Sequence, residues 1–409
     1  MTETVAPLSF KDALQIDVMR RVFYAQIISL FGDFLALFAV IAVVSFRLHG
    51  TANQITGVQI AYLLPMVFIG PIAGVFVDRW PIKPTLIASD VIRGLLAMLL
   101  IFSSSVWQIY VVLAALSCVS AFFGPAQTVT IRSHVPTHGL MSANALMQIA
   151  FMGSRIVGPA TAGVLVARFG PGACYGLDVL SFFISASFIG SVMIRRPPSD
   201  RTAAESSSNR IHAIWIDMRA GMSFIAHHAA ILFVVLAMAA GMFVIGCFGP
   251  LIAIYVRDTL QASAGIFGYV SGTVGVGLLV GTQVLRPLAQ KVKSDTLVLS
   301  GLAGIGGGVL LLGALPYVAA AFVATFTIGF TFAAVIVPAQ TLLQRETPHD
   351  MLGRVGSTNV SIIVLAQVLG LFASGGLAET IGVRAVFFLC AGLAFSLAAG
   401  GRLFLNAKS

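Results

Sequence analysis

The stretch IISLFGDFLALFAVIAVVSF, Ile27 to Phe46, is apolar at nearly every position. It is as long as the roughly 20 residues a helix needs to cross the hydrocarbon core of a bilayer. Its exception is Asp33. A carboxylate at the centre of a spanning helix costs about 3 kcal/mol on insertion scales, so a chain that keeps one there needs a compensating role for it. The rest of the sequence repeats the apolar pattern. Of 409 residues, 58% are hydrophobic and only 10% charged, and mean hydropathy is +0.97. A water-soluble domain of this size does not have that composition. Apolar runs of spanning length begin near Arg21, Gln54, Pro84, Trp107, Met141, Gly176, Ala229, Gly265, Thr296, Val318, Arg354 and Arg384, parted by short clusters of charge, proline or glycine. The short alternating patterns of a transmembrane barrel are missing. The expectation is an all-α membrane protein of twelve transmembrane helices.

Charge placement orients these spans. Residues 1–19 carry Glu3, Asp12 and Asp17 and lack the basic start and apolar centre of a secretory signal, so the N-terminus is expected in the cytoplasm. With that start, eighteen of the 24 Lys and Arg fall inside, four (Arg47, Arg168, Arg257 and Arg384) fall outside, and Arg93 and Arg155 lie within spans. This is the positive-inside bias, and twelve spans return the C-terminus to the cytoplasm. The net charge of +9 therefore reports orientation in a lipid bilayer and implies no nucleic-acid partner. Cys118, Cys174, Cys247 and Cys390 sit in different segments without metal or redox spacing. His134 and His138 flank Pro136 in a loop, which argues against a shared metal. No cofactor or metal is expected.

The long polar stretch RRPPSDRTAAESSSNR, from Arg195, divides the spans six and six and reads as a cytoplasmic linker. After it, Ile211, Ile214, Trp215, Met218 and Met222 recur at helical spacing, as in a helix lying on the membrane surface. The expected organisation is a six-helix bundle over 1–194, a linker with an amphipathic helix over 195–228, and a second six-helix bundle over 229–409. The halves resemble each other. PAQT at Pro125–Thr128 recurs at Pro338–Thr341, and a shift of about the same size places Pro136 on Pro348, Gly158 on Gly370, Gly163 on Gly375 and Gly170 on Gly382. Parallel six-helix repeats put a binding site near the midplane, so the repeat points to transport.

The residues that follow the second span carry a family resemblance. GVFVDRWPIK, Gly74 to Lys83, resembles the cytoplasmic loop signature of the major facilitator superfamily. Together with SDVIRG, SANALMQIAFMGSRIVGPATAG, YVRDTLQASAGIFGYVSGTVGVG and MLGRVGS, it resembles the branch of enterobactin exporters and macrolide efflux pumps. The resemblance places Gly74, Asp78, Arg79 and Lys83 in a latch in which Asp78 sits on the positive N-terminal end of a helix from the other half, and Arg79 and Lys83 pair with nearby acids. Asp90 and Arg93, three apart, share a helix face and extend that network. The alternative is a set of loop charges that only obey orientation rules. GSRIVGPATAG, Gly153 to Gly163, resembles the superfamily's antiporter motif, with Ser154 and Ala162 where glycines are usual. There Gly158 and Pro159 let helices approach and bend; the alternative is plain small-residue packing. No phosphate-binding G-x-x-x-x-G-K-[ST] loop exists, so ATP is not the energy source.

Gln26, Ser29 and Asp33 fall at i, i+3 and i+7, a polar stripe on the first span. Asn144, Gln148 and Arg155 form another on the fifth. The stripes are expected to meet, with Arg155 paired to Asp33, because an unpaired ion there is costly. That pair either fixes helix register or carries the proton. In the second half, Phe326 and Phe330 of an aromatic series and Met242 offer an adaptable wall for a bulky substrate, or a packing surface. The combined expectation is a proton-coupled exporter of small organic molecules, monomeric, in the inner (plasma) membrane, and not an enzyme. Its rivals are a proton-coupled importer of the same fold and a non-transporting receptor.

Overall fold

The computed structural model describes residues 8–77, 79–194, 207–288, 291–348 and 351–406, and these are helical with short connections. In chain order the helices are α1 (Phe10–Gln15), α2 (Asp17–Ala42), α3 (Ala52–Val77), α4 (Ile82–Phe102), α5 (Val106–His134), α6 (Leu140–Phe169) and α7 (Pro171–Gly190). Then come α8 (Ser207–His227), α9 (Ala229–Ile254), α10 (Ala264–Leu288), α11 (Ser294–Ala314), α12 (Val318–Glu346), α13 (Leu352–Ile381) and α14 (Val383–Asn406). Among the described residues twelve helices are long and apolar enough to cross a membrane, and there is no strand. The expected all-α fold of twelve spans is the fold observed.

The repeat is sharper in the structure than in the sequence. A displacement of 212 positions (170 to 382) carries α2 onto α9, α4 onto α11, α5 onto α12 and α6 onto α13 with both bounds matching. It also carries the π-helical turn Val43–Arg47, which closes α2, onto the π-helical turn Tyr255–Thr259, which closes α9. The left-handed backbone at His49 recurs at Gln261, each with φ 49°. Gly170 and Gly382 end α6 and α13 with φ 79° and 86° and extended ψ, a region that only glycine enters without strain. These shared irregularities are backbone features that a chance match of apolar runs does not produce. PAQT is one residue out of this register, since Pro125 falls on Val337 and Pro338 on Ala126. The four-residue coincidence that first suggests the repeat is therefore not itself part of it.

The chain divides into two compact units. The first runs to His49 and resumes at Gly57; the second takes Gly50–Thr56 and everything from Glu205. In the first, α2 packs on α6 and α7, and α4 on α5 and α7. Ala13, Met19, Ile131, Val135, Ala143 and Leu146 form one apolar cluster at its end, held further by the Ser9–Asp12 capping box of α1. In the second, α9 packs on α13, α12 on α10 and α11, and α11 on α14. Helix α8, expected on the membrane surface, docks on α13, where Gly221 lies against Thr358 and the Arg354 carbonyl. Residues 195–206 of the expected linker, and the side chains of Ile211, Ile214 and Trp215, lie outside the described residues.

Candidate functional site

The polar centre of the first unit is Arg93. Helix α4 presents Asp90 and Arg93 one turn apart, and the guanidinium Nη2 bonds Asp90 Oδ1 directly. The other Asp90 oxygen, Oδ2, accepts from Ser185 Oγ of α7 at 2.6 Å. Arg93 Nη1 lies 3.8 Å from Asp33 Oδ2 of α2. The guanidinium carbon is 4.6 Å from the centre of the Phe123 ring and 4.5 Å from that of Phe182. A desolvated cation–π contact of this kind contributes about 2 kcal/mol, so α5 and α7 hold the charge without supplying one.

A third acid completes the group. Asp178 of α7 is 1% exposed, and its Oδ1 has no hydrogen-bond partner. Gly32 makes its approach possible: a Cβ there would stand 2.7 Å from that oxygen and closer still to Ser181 Oγ. Any side chain at position 32 would push α7 off α2. Tyr62 of α3 lies within electrostatic range of Asp33, Arg93 and Asp178. Three carboxyl groups thus surround one cation near the middle of their helices. Asp90 and Arg93 are buried, whereas the Asp33 side chain keeps 19% of its surface open.

The second half shows that the fold does not need these charges. Shifted by 212, Asp33 falls on Ile245, Asp90 on Leu302, Arg93 on Ile305 and Asp178 on Cys390. Leu302, Ile305 and Cys390 are all buried. The same helix arrangement is closed there by apolar packing, which is usually at least as stabilising as a buried ion group.

The expected residues are only partly brought together. Asp33 pairs with Arg93, not with Arg155 as expected. Arg155 is exposed and makes no ion pair or hydrogen bond among the described residues. Helices α2 and α6 do touch, but through Phe34 with Gly158 and with Phe151, whose ring lies edge-on at 5.7 Å. A Cβ on Gly158 would stand 2.6 Å from Phe34 Cβ, and Pro159 follows inside the helix, so this pair sets a close helix approach. Gln26 accepts from Gln127 Nε2 of α5 at 2.7 Å, and Ser29 is buried. Asn144 and Gln148 are exposed beside Arg155 on α6.

In the second unit Phe326 and Phe330 stack at 6.2 Å, and Phe330 packs against the buried cluster of Leu285, Ala333 and Ala334. Met242 is half-buried in α9. Of the latch residues, Asp78 lies outside the described residues and Arg79 is exposed. Gly74 has open space around it. Lys83 makes no ion pair among the described residues; its Nζ donates to the Gly190 carbonyl at the end of α7, at 2.7 Å. Asp90 and Arg93 belong with Asp33 inside the bundle rather than with the loop. Sequence reasoning missed Asp178 and Ser185, although Asp178 stands in an apolar span just as Asp33 does.

Two repeats of the same helix order, twelve spans and a charge cluster enclosed in one repeat define a polytopic membrane transporter. The chain belongs to the Major Facilitator Superfamily, whose family model matches residues 22–362 and 234–408. It is similar to YfiS of Bacillus subtilis, an uncharacterized MFS-type transporter, with 28% identity over 90% of this chain and 88% of that one. Macrolide efflux protein A of Streptococcus pyogenes is 25% identical over 85% and 86% of the two chains. Multidrug resistance protein MdtG of Escherichia coli is 24% identical over 84% and 83%. Among solved structures, the nucleoside transporter NupG matches with TM-score 0.72 at 12% identity, over 95% of this chain and 99% of that one. That is a likeness of fold. The chain is a transporter of this superfamily and not an enzyme.

Proposed function

We propose that the protein exports small organic molecules, of drug, macrolide or siderophore type, in exchange for protons held at the Arg93 cluster. The observation that carries this reading is a charge count: Asp33, Asp90 and Asp178 gather around one cation, at a place that the other repeat builds from Ile245, Leu302, Ile305 and Cys390. One guanidinium offsets one carboxylate. Further negative charge in a low-dielectric bundle is too costly to leave uncompensated, so the cluster is suited to binding protons. Asp33 is the member with solvent access, and in the proposed cycle it takes a proton from outside as cargo leaves and releases it to the cytoplasm. Export is supported by the efflux proteins among the relatives. The inner membrane and cytoplasmic termini are supported by the eighteen-to-four charge bias. A monomer is proposed because each half is a complete six-helix bundle.

The test is cellular accumulation of a macrolide, of ethidium and of the acidic dansylglycine with and without the protein. Lower accumulation that depends on the pH gradient supports the reading. Higher accumulation makes the protein an importer. Reconstituted protein that binds a compound but moves none under a pH gradient is a receptor.

A further inference from the structure

We propose that the first bundle recognises an acidic group on the cargo, and that Arg155, on the helix face it shares with Asn144 and Gln148, is the residue that does so. The inference rests on the transporter reading above and deepens it by naming a substrate class. Arg155 lies near the middle of α6, is exposed, and has no ion pair or hydrogen bond among the described residues. A bare guanidinium in a spanning helix is costly and needs a compensating partner. None of the structural roles open to it is unfilled. Arg93 already serves as the counter-ion of Asp33, and Gly158 with Phe34 makes the α6–α2 contact. The repeat-related position in α13 is the neutral Gln367, so a cation is not required to build this helix.

The neighbourhood of Arg155 fits an anion. Asn144, Gln148 and Arg155 lie within about 40° of one another around the helix, and all three are exposed. Gln26, by contrast, is occupied by Gln127. The exposed stripe therefore presents the Arg155 guanidinium fork, with Gln148 about 10 Å and Asn144 about 16 Å away toward the start of the helix. The guanidinium binds a carboxylate, sulfonate or phosphate through paired N–H groups, which an ammonium or an uncharged cargo cannot satisfy.

Three dansyl probes that differ in charge test this on the purified full chain in detergent at neutral pH: dansylglycine, dansylamide and dansylcadaverine. Binding is read from dansyl emission. Dansylglycine is expected to bind about tenfold or more tightly than the other two, the gain of a charge-assisted pair. Arg155→Gln should erase that preference without changing the unfolding temperature, and Arg155→Lys should keep part of it. Equal binding of the three probes, preference for the ammonium, no binding at all, or a preference that survives in Arg155→Gln would each overturn the assignment. Because no pH gradient is present, a failure of proton coupling leaves this result standing, and the reverse also holds.

Discussion

Arg93 Nη1 stands 3.8 Å from Asp33 Oδ2, so the acid of the first span is held from α4 and not by Arg155 of α6. The same guanidinium bonds Asp90 and lies between two aromatic rings. One cation therefore serves two carboxylates directly and has a third, Asp178, in its field. What separates this cluster from ordinary core structure is its counterpart at Ile245, Leu302, Ile305 and Cys390, where the repeat is apolar.

Removing the cation alone should be severe. Arg93→Ile leaves buried acids without a partner and is expected to cost about 3–5 kcal/mol of stability, read from denaturant unfolding in detergent. Stability equal to the wild type would show that the acids do not depend on Arg93.

Removing the whole cluster should be mild by comparison. The combined change Asp33→Ile, Asp90→Leu, Arg93→Ile and Asp178→Cys installs the residues of the second half, and replacing a buried ion group by apolar side chains is often neutral or stabilising. The expected result is an unfolding midpoint near that of the wild type with no pH-driven transport. A variant that fails to fold while Arg93→Ile alone folds would contradict the repeat argument.

Ser185 acts through Asp90. Ser185→Ala deletes the 2.6 Å donor to a fully enclosed carboxylate and should cost about 1–3 kcal/mol, measured in the same unfolding experiment.

Gly158 and Gly370 occupy the same repeat position but touch different atoms. A Cβ at 158 would stand 2.6 Å from Phe34 Cβ, and one at 370 would stand 2.3 Å from the Phe243 carbonyl oxygen; both atoms are fixed by their backbones, so neither contact is relieved by turning a side chain. Overpacking costs about 1–3 kcal/mol, so Gly158→Ala and Gly370→Ala should each lower the thermal unfolding midpoint. Either variant as stable as the wild type would refute the packing account of this pair.

Much of the fold was legible in the sequence, because span length and loop charge follow from the bilayer alone. The repeat was visible in Gly158, Gly163, Gly170 and Pro136, residues whose backbone duties recur in the second half. Its strongest marks were not visible: the π-helical turns at Val43–Arg47 and Tyr255–Thr259 carry no residue signature. The site was harder to read. Helical spacing tells which residues share a face, and it correctly put Asp90 beside Arg93. It does not tell which helices are neighbours, so it paired Asp33 with Arg155 and left Arg93 to the loop network. The choice falls to α4 because its arginine lies between the rings of α5 and α7, a matter of three-helix packing. Asp178 could have been found by the criterion applied to Asp33, an acid inside an apolar span. Lys83 was read as the partner of an acid, and among the described residues its Nζ donates instead to the carbonyl at the end of α7.

The most direct measurement is transport of dansylglycine into and out of proteoliposomes, with and without an imposed pH gradient, for wild type and Asp33→Asn. The expected result is that the variant exchanges dansylglycine down its own gradient at a rate near that of the wild type but gains nothing from the pH gradient. A pH-driven rate in Asp33→Asn equal to that of the wild type would contradict the account and leave the Arg93 cluster a structural feature of the first bundle.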